Sequence, residues 1–287
     1  MKIDTSPYRV AEGRPLDLGQ HPTRVHPLFT SKGQYQDVLA DHTAKLGELQ
    51  GLLYASGSHS VLLVLQAMDA AGKDGIIKHV MSGLNPQGCE VFSFKQPSAE
   101  ELRHDFLWRT TCRLPERGRI GIFNRSYYEE VIVVRVHPEL LAAQGLPGRA
   151  VEEETFWTDR FRSIRELEAH LHRNATCIIK VFLHLSKDEQ RKRLLERIDE
   201  PGKNWKFSSA DVAERARWHD YGQAYEACLA ATSTAAAPWH VVPADDKKNA
   251  RLIVSQILLD TLGRLGLAYP DVDKERRQEM KTIRHEL

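Results

Sequence analysis

Apolar and polar positions alternate along this chain in blocks of two kinds. Val61-Leu62-Leu63-Val64-Leu65-Gln66 is a continuous branched apolar run bounded by turn signals. Such a run reads as a strand buried on both faces. Arg119–Phe123, Thr176–Leu185 and Trp239–Val242 repeat the form, and Cys89–Phe94 adds a shorter strand. Between these runs the apolar residues recur at helical spacing. The pattern predicts helices over 31–57, ending at Gly57, over Ile76–Leu84, from Ser126 toward Val136, over 151–173 and over Lys247–Leu265. Ser98-Ala99-Glu100-Glu101 and Ser186-Lys187-Asp188-Glu189 have the S-x-x-E form of a capping box. They predict helices to about Thr110 and about Ile198. Asp199-Glu200-Pro201-Gly202 breaks the second, and Ser208–Asp211 opens another to about Leu229. His137–Arg149 reads as a loop. Strands alternating with helices imply an α/β fold with a parallel sheet covered on both faces. Residues 1–30, rich in Pro, Gly and His without a period, are expected to form an arm on the surface or on a partner. Residues 31–287 are expected to form one domain.

Composition narrows the class. With 41% hydrophobic and 28% charged residues in 287, the chain lies well inside the globular range. No run approaches the ~20 apolar residues of a membrane helix. The N-terminus has no signal or transit pattern, so the expected location is cytoplasmic. Cys89, Cys112, Cys177 and Cys228 are scattered without C-x-x-C, which argues against a disulfide scaffold or a cysteine zinc site. His170 and His172, one residue apart on a helix, do not share a face. The charge balance, 40 Lys+Arg against 39 Asp+Glu, argues against a bulk nucleic-acid coat and leaves room for a local basic patch.

Such a patch and a candidate phosphate loop are both present. The first apolar strand leads through Asp69-Ala70-Ala71-Gly72-Lys73-Asp74-Gly75 into a helix. Strand, glycine turn with Lys, then helix is an arrangement that cradles phosphates with main-chain amides, helix-terminal charge and an ammonium. The formal G-x-x-x-x-G-K-[ST] pattern fails twice, at Ala67 and Asp74, so an ordinary strand-to-helix turn with a solvent lysine stays open. With Asp74 in the Ser/Thr position, Asp69 is the natural ligand for a divalent ion. Phe123-Asn124-Arg125-Ser126 ends another strand at the edge where open α/β sheets bind ligands. Asn124 can reach metal-bound water. Ser126 reads equally as a helix cap. Residues 186–206 carry Lys187, Arg191, Lys192, Arg193, Arg197, Lys203 and Lys206, diluted by acidic neighbours. They read as a solvated charged helix or as a basic lid closing over phosphates.

Taken together, these stretches resemble the polyphosphate kinase-2 family, and within it the class III members that phosphorylate both AMP and ADP. The match includes Leu65–Gly75, Ser93–Leu102, Phe106-Leu107-Trp108-Arg109, Phe123–Glu129, Lys203-Asn204-Trp205-Lys206-Phe207, Ala237-Pro238-Trp239 and Val242–Asp245. The resemblance implies a thymidylate-kinase-like P-loop fold, a three-layer sandwich with a parallel sheet and a helical lid at about 186–215. It implies inorganic polyphosphate as donor, adenine nucleotides as acceptors, Mg²⁺ (or Mn²⁺) as cofactor, and a homo-oligomer without nucleic-acid or membrane partners. By position, Asp69, Lys73, Asn124 and Arg125 are the implied catalytic residues, with Asp69 and Asn124 at the metal. Ala70, Ala71, Gly72, Asp74, Gly75, Arg193, Arg197, Lys203 and Lys206 are expected at phosphates. Lys95, Arg109 and Glu129 are expected at the acceptor nucleotide, Glu129 as its selector. Asp246-Lys247-Lys248-Asn249 departs from the aromatic-containing sequence expected there. Two rivals remain: an ATP-dependent kinase on the same core, and a non-catalytic polyanion-binding module.

Overall fold

A computed structural model describes residues 1–148 and 155–287. Its strands are β1 (Ser60–Ala67), β2 (Cys89–Ser93), β3 (Ile120–Asn124), β4 (Thr176–His184) and β5 (Trp239–Pro243). They form one parallel sheet in the order β2-β3-β1-β4-β5. The described helices of more than one turn are α1 (Lys32–Ser56), α2 (Lys73–Val80), α4 (Glu129–Val136), α5 (Phe156–Arg173), α6 (Lys187–Asp199), α7 (Ser209–Ala216), α8 (Trp218–Thr232), α9 (Lys247–Gly263) and α10 (Lys274–Glu286). The single turn Trp108–Thr111 is α3.

The strand at the centre shows why the layers form. All eight residues of β1 are buried. Val61, Leu63 and Leu65 point into a core shared with α1, α2 and α9, while Leu62 and Val64 point into a second core shared with α4, α5 and α8. A strand buried on both faces needs apolar residues at odd and even positions alike. Each such side chain contributes roughly 1.5–3 kcal/mol on burial. β1 pairs with β3 on one side and β4 on the other, with Leu65 opposite both Asn124 and Val181. The helix that follows β1 (α2) and the one that follows β3 (α4) pack on opposite faces of the sheet, so the crevice at the carboxyl ends of these adjacent strands is a topological switch point.

The expected arm packs on its own chain. Arg9 bridges His240 on edge strand β5, and Ile3, Val10 and Leu18 are buried. Thr23 and the N–H of Ser186 both donate to the Asp245 carboxylate, tying the arm to the start of α6. No helix among the described residues is long and apolar enough to cross a membrane. All four cysteines are free.

Several predicted boundaries are corrected. The Ser98 capping box does form, with Ser98 N–H on Glu101 Oε2 at 2.7 Å and Glu101 N–H on Ser98 Oγ at 3.2 Å. It caps only a 3-10 turn at Glu101–Arg103, and the long helix to Thr110 is absent. Arg109 is instead turned inward onto the Lys95 carbonyl at 2.7 Å. The Ser186 box is half made: Ser186 Oγ accepts from Glu189 N–H, but the Glu189 carboxylate binds Arg193. The helix expected from Ser208 is two, separated at Arg217, whose guanidinium donates to the Val136 carbonyl. The loop expected at 137–149 contains a 3-10 turn, Pro138–Gln144. The helix expected over 151–173 is seen from Phe156, and its first residues lie outside the described ones.

Candidate functional site

The loop from β1 to α2 is bent by local backbone geometry. Ala70 has φ 64° and Gly72 φ 110°. Both lie in the left-handed region, which suits glycine at 72 and strains alanine at 70. The first helical bond of α2 runs from Ile76 N–H to Gly72 O. The amides of Lys73, Asp74 and Gly75 in the first turn therefore have no helical acceptor and present donor charge at the helix N-terminus. Ala71 differs from expectation: its N–H is committed to the Met68 carbonyl at 3.3 Å.

Lys73 folds inward. Its Nζ donates to the Ala67 carbonyl at 3.1 Å, and it lines a cleft of about 830 Å³ at the carboxyl edge of the sheet. Desolvation, reinforced by the Arg125 charge, lowers its pKa, while Asp69, Glu129 and Asp74 oppose the shift. Arg125, also left-handed at φ 65°, turns back from β3 across β1. Its Nη2 lies 2.9 Å from Asp69 Oδ1 and its Nη1 3.2 Å from Glu129 Oε2. Glu129 above all raises the Arg125 pKa, so the guanidinium stays charged. Asn124 Nδ2 donates to Asp74 Oδ1 at 3.0 Å, and Lys206 Nζ lies 3.4 Å from Asp74 Oδ2. Burial pushes the Asp74 carboxyl up, but the Asn124 hydrogen bond and Lys206 outweigh it and hold the pKa below its ordinary value.

The hairpin of α6, the 3-10 turn Pro201–Lys206 and α7 closes one side of the cleft. Arg197 binds Asp211 at 2.6 Å, and Lys203 binds Glu200 at 2.7 Å and Glu196 at 3.3 Å. Arg193 is a clamp. Its Nη1 donates to the Ala70 and Ala71 carbonyls at 3.1 and 2.9 Å, and its Nη2 to Ala244 and Asp245 at 2.7 and 3.0 Å. Its Nε lies 3.0 Å from Glu189 Oε1. Every N–H of the guanidinium thus has a protein acceptor. Arg193 holds the loop between β1 and α2 against the end of β5, which corrects its expected position as a free phosphate donor. Ser126 is a cap and core group: buried, its Oγ accepts from Gln66 and from Tyr128 N–H.

The sequence-derived residues are thereby sorted. Asp69, Lys73, Asp74, Lys95, Asn124, Arg125, Arg197, Lys203 and Lys206 line one cleft. Arg109 does not. It is buried, 3.6 Å from Glu130, and lines a separate cavity of about 100 Å³ with Phe106 and Arg160. Sequence reasoning missed Gln190, whose Nε2 donates to the Asp69 carbonyl at 3.1 Å, and the cleft-lining His79, Lys247 and Arg251. The i, i+4 spacing of Lys247 and Arg251 on one helix was the available signal.

A parallel 2-3-1-4-5 sheet whose central strand runs through a glycine-lysine turn into a helix, beneath a basic hairpin, defines a P-loop kinase. The family model described as "Polyphosphate kinase 2 (PPK2)" matches residues 29–266. The chain belongs to the polyphosphate kinase 2 family. It is 60% identical, over all of this chain and 99% of the relative, to a Rhodopseudomonas palustris protein named ADP-polyphosphate phosphotransferase. It is 47% identical to the AMP/ADP-polyphosphate phosphotransferase of Meiothermus ruber, over 92% of this chain and 94% of that one. The crystal structure of polyphosphate kinase 2 from Arthrobacter aurescens superposes with a TM-score of 0.88 at 40% identity, covering 99% of both chains.

Proposed function

We propose that this chain transfers a phosphoryl group from inorganic polyphosphate to AMP and ADP, reversibly, forming ADP and ATP. One observation carries the chemistry: Asp69 and Lys73 from the turn after β1, and Arg125 from the turn after β3, face one cleft at the switch point of the sheet. Family membership supplies the donor. The names of the R. palustris and M. ruber relatives support ADP and AMP as acceptors.

The acceptor's terminal phosphate oxygen is already ionised near neutral pH, so no strong general base is needed. A new P–O bond forms to that oxygen. The bridging P–O bond of polyphosphate breaks, and the shortened chain leaves with its electron pair. Positioning and charge compensation then account for catalysis. Lys73 and the amides at the start of α2 grip the donor. Arg125, held between Asp69 and Glu129, faces the developing charge. Arg197, Lys203 and Lys206 belong to a lid that exchanges its carboxylate partners for phosphates on closure. Lys95 and Glu129 border the acceptor, and Arg109 acts from behind by fixing the Lys95 backbone.

The donor set fits a magnesium-like ion. Among the described residues no three His, Cys, Asp or Glu side chains could hold a metal alone. An ion held through one carboxylate and completed by phosphate oxygens and water is the usual Mg²⁺ arrangement. Asp69, with Asn124 lining the same cleft, would hold Mg²⁺ or Mn²⁺, which when bound would neutralise phosphate oxygens of the substrates.

The test is an assay of AMP or ADP with polyphosphate and Mg²⁺, products resolved by chromatography, with ATP as a competing donor. Asp69→Ala and Lys73→Met are expected to reduce turnover by about 10² or more with the unfolding transition retained. A folded Asp69→Ala protein with near-wild-type turnover would remove Asp69 from the reaction.

A further inference from the structure

The turn after β1 holds a backbone conformation that its own residues disfavour. Ala71 N–H on the Met68 carbonyl at 3.3 Å closes a β-turn over Asp69 and Ala70. Ala70 has φ 64°, and Asp69 is not among the residues with positive φ, which is the type II form. Type II calls for glycine where Ala70 stands, and an alanine there is strained. Type I differs by a half-turn of the Asp69–Ala70 peptide and would leave Ala70 unstrained. The orientation is therefore held from outside the turn.

Gln190 is placed to hold it. Buried on α6, it donates from Nε2 to the Asp69 carbonyl at 3.1 Å. Its Oε1 accepts at 3.1 Å from Nη1 of Arg215 on α7, which also donates to the Lys187 carbonyl at 2.5 Å. A guanidinium only donates and a carbonyl only accepts, so these two partners allow the Gln190 amide one orientation. One turn further along α6, Arg193 takes the Ala70 and Ala71 carbonyls. Three consecutive carbonyls, 69 to 71, are thus turned toward α6. In a planar trans peptide the next N–H points the opposite way. Ala71 N–H closes the turn, while those of Ala70 and Gly72 face away from α6 and have no acceptor among the described residues. Both residues line the cleft. Adjacent unpaired amides of this kind form an anion-binding concavity. A flip of the Asp69–Ala70 peptide would reverse the first of them.

We propose that Gln190 is a positioning residue: it holds the Asp69–Ala70 peptide in the orientation that offers the Ala70 amide to the donor phosphate, and its bond to Arg215 makes that hold depend on α7. The proposal rests on the reading of this loop as the donor's grip and adds what sets the grip. With α7 in place, the Gln190 amide is fixed from both ends. With α7 away, Oε1 loses its charged donor, the amide is free to rotate, and the strained turn can relax to type I. The loop is then set for phosphate only while the basic hairpin is closed.

The experiment measures polyphosphate and ADP kinetics in the wild type, Gln190→Leu, Ala70→Gly, Arg215→Met and the double variants with Gln190→Leu. Losing one buried hydrogen bond should lower kcat/KM for polyphosphate about tenfold in Gln190→Leu, with KM for ADP unchanged. Glycine at 70 favours type II without help, so Gln190→Leu with Ala70→Gly should return to within about threefold of Ala70→Gly alone. A side chain that merely fills space would show no such rescue. Arg215→Met should give a loss of the same kind and add nothing to Gln190→Leu. No loss in Gln190→Leu, a loss that glycine does not rescue, or an equal rise in KM for both substrates would overturn the positioning role. Additive losses in the Arg215 pair would overturn the dependence on α7. Wild-type protein inactive with polyphosphate would instead sink the polyphosphate reading, and the same ratios taken with ATP as donor would then test the loop. If Gln190→Leu loses its unfolding transition, Gln190→Asn, too short to span both partners, takes its place.

Discussion

Arg125 is pulled in two directions, by Asp69 at 2.9 Å and by Glu129 at 3.2 Å. A guanidinium between two carboxylates is held in a fixed orientation, and exchange of either partner for a phosphate needs little movement. Glu129 is the less exposed of the two carboxylates and sits at the start of α4. If it borders the acceptor as proposed, its negative charge would repel the second phosphate of ADP more than the single phosphate of AMP reaching the same position. Glu129→Gln should therefore shift the ratio of kcat/KM toward ADP over AMP by about tenfold, a difference near 1.4 kcal/mol. Steady-state kinetics with each acceptor reads this directly. An unchanged ratio with lower activity on both would confine Glu129 to orienting Arg125.

Among the elements, edge strand β5 is where pH enters. His240 lies on β5, with its Nδ1 3.3 Å from the Lys180 carbonyl, and the arm covers it through Arg9. Desolvation pushes its pKa down from 6.5 to about 4, against the hydrogen bond to Lys180. Its folded-state pKa lies below the unfolded one, so between those values the unfolded chain takes up a proton that the folded chain does not. Stability is then complete above about pH 6.5 and falls as pH drops toward 4, by up to ~3 kcal/mol. Urea denaturation at pH 7.5 and pH 5 should show this loss in the wild type and a smaller one in His240→Asn. A loss of equal size in both would assign the acid sensitivity to other groups. The clamp at Arg193 belongs to the same scale. It joins α6, the loop after β1 and the end of β5, so the basic hairpin is rooted in the loop beside the cleft.

Across the whole molecule, a polar network runs through one of the two cores. Lys180, on β4 and fully buried, lies 2.6 Å from Glu168 on α5 and donates to the Tyr128 hydroxyl and the Thr232 carbonyl. Glu168 Oε1 accepts from both Tyr127 and Tyr128, which follow Arg125 and Ser126 in the chain. The turn that carries Arg125 is thus anchored in the core between the sheet and helices α5 and α8. Removing one partner of a buried pair leaves an uncompensated charge. Lys180→Met should cost about 3–5 kcal/mol, and adding Glu168→Leu should recover part of that loss. A double variant no more stable than the single one, in chemical denaturation, would show that Glu168 acts through the tyrosines alone.

The strands and their order of appearance were legible because a two-sided sheet demands continuous apolar runs, and those runs are local in sequence. The loop from β1 to α2 was legible for the same reason: its strand, glycine, lysine and helix are consecutive. Asp69, Lys73, Asn124 and Arg125, which line one cleft, lie in two short stretches of sequence. What sequence alone could not assign was the use of each long cationic side chain. Arg193 and Arg197 are one helical turn apart and read alike, yet one is bound to five backbone and side-chain acceptors and the other to Asp211. Arg109 read as a ligand-facing residue and is buried against Glu130, because the helix predicted before it is only a turn. Lys247 and Arg251 drew no notice as cleft residues until the parallel sheet brought α9 beside α2. Local pattern determines which residues can form strand, helix and turn. The acceptor that each flexible cation finds is a long-range contact, decided only when the layers close.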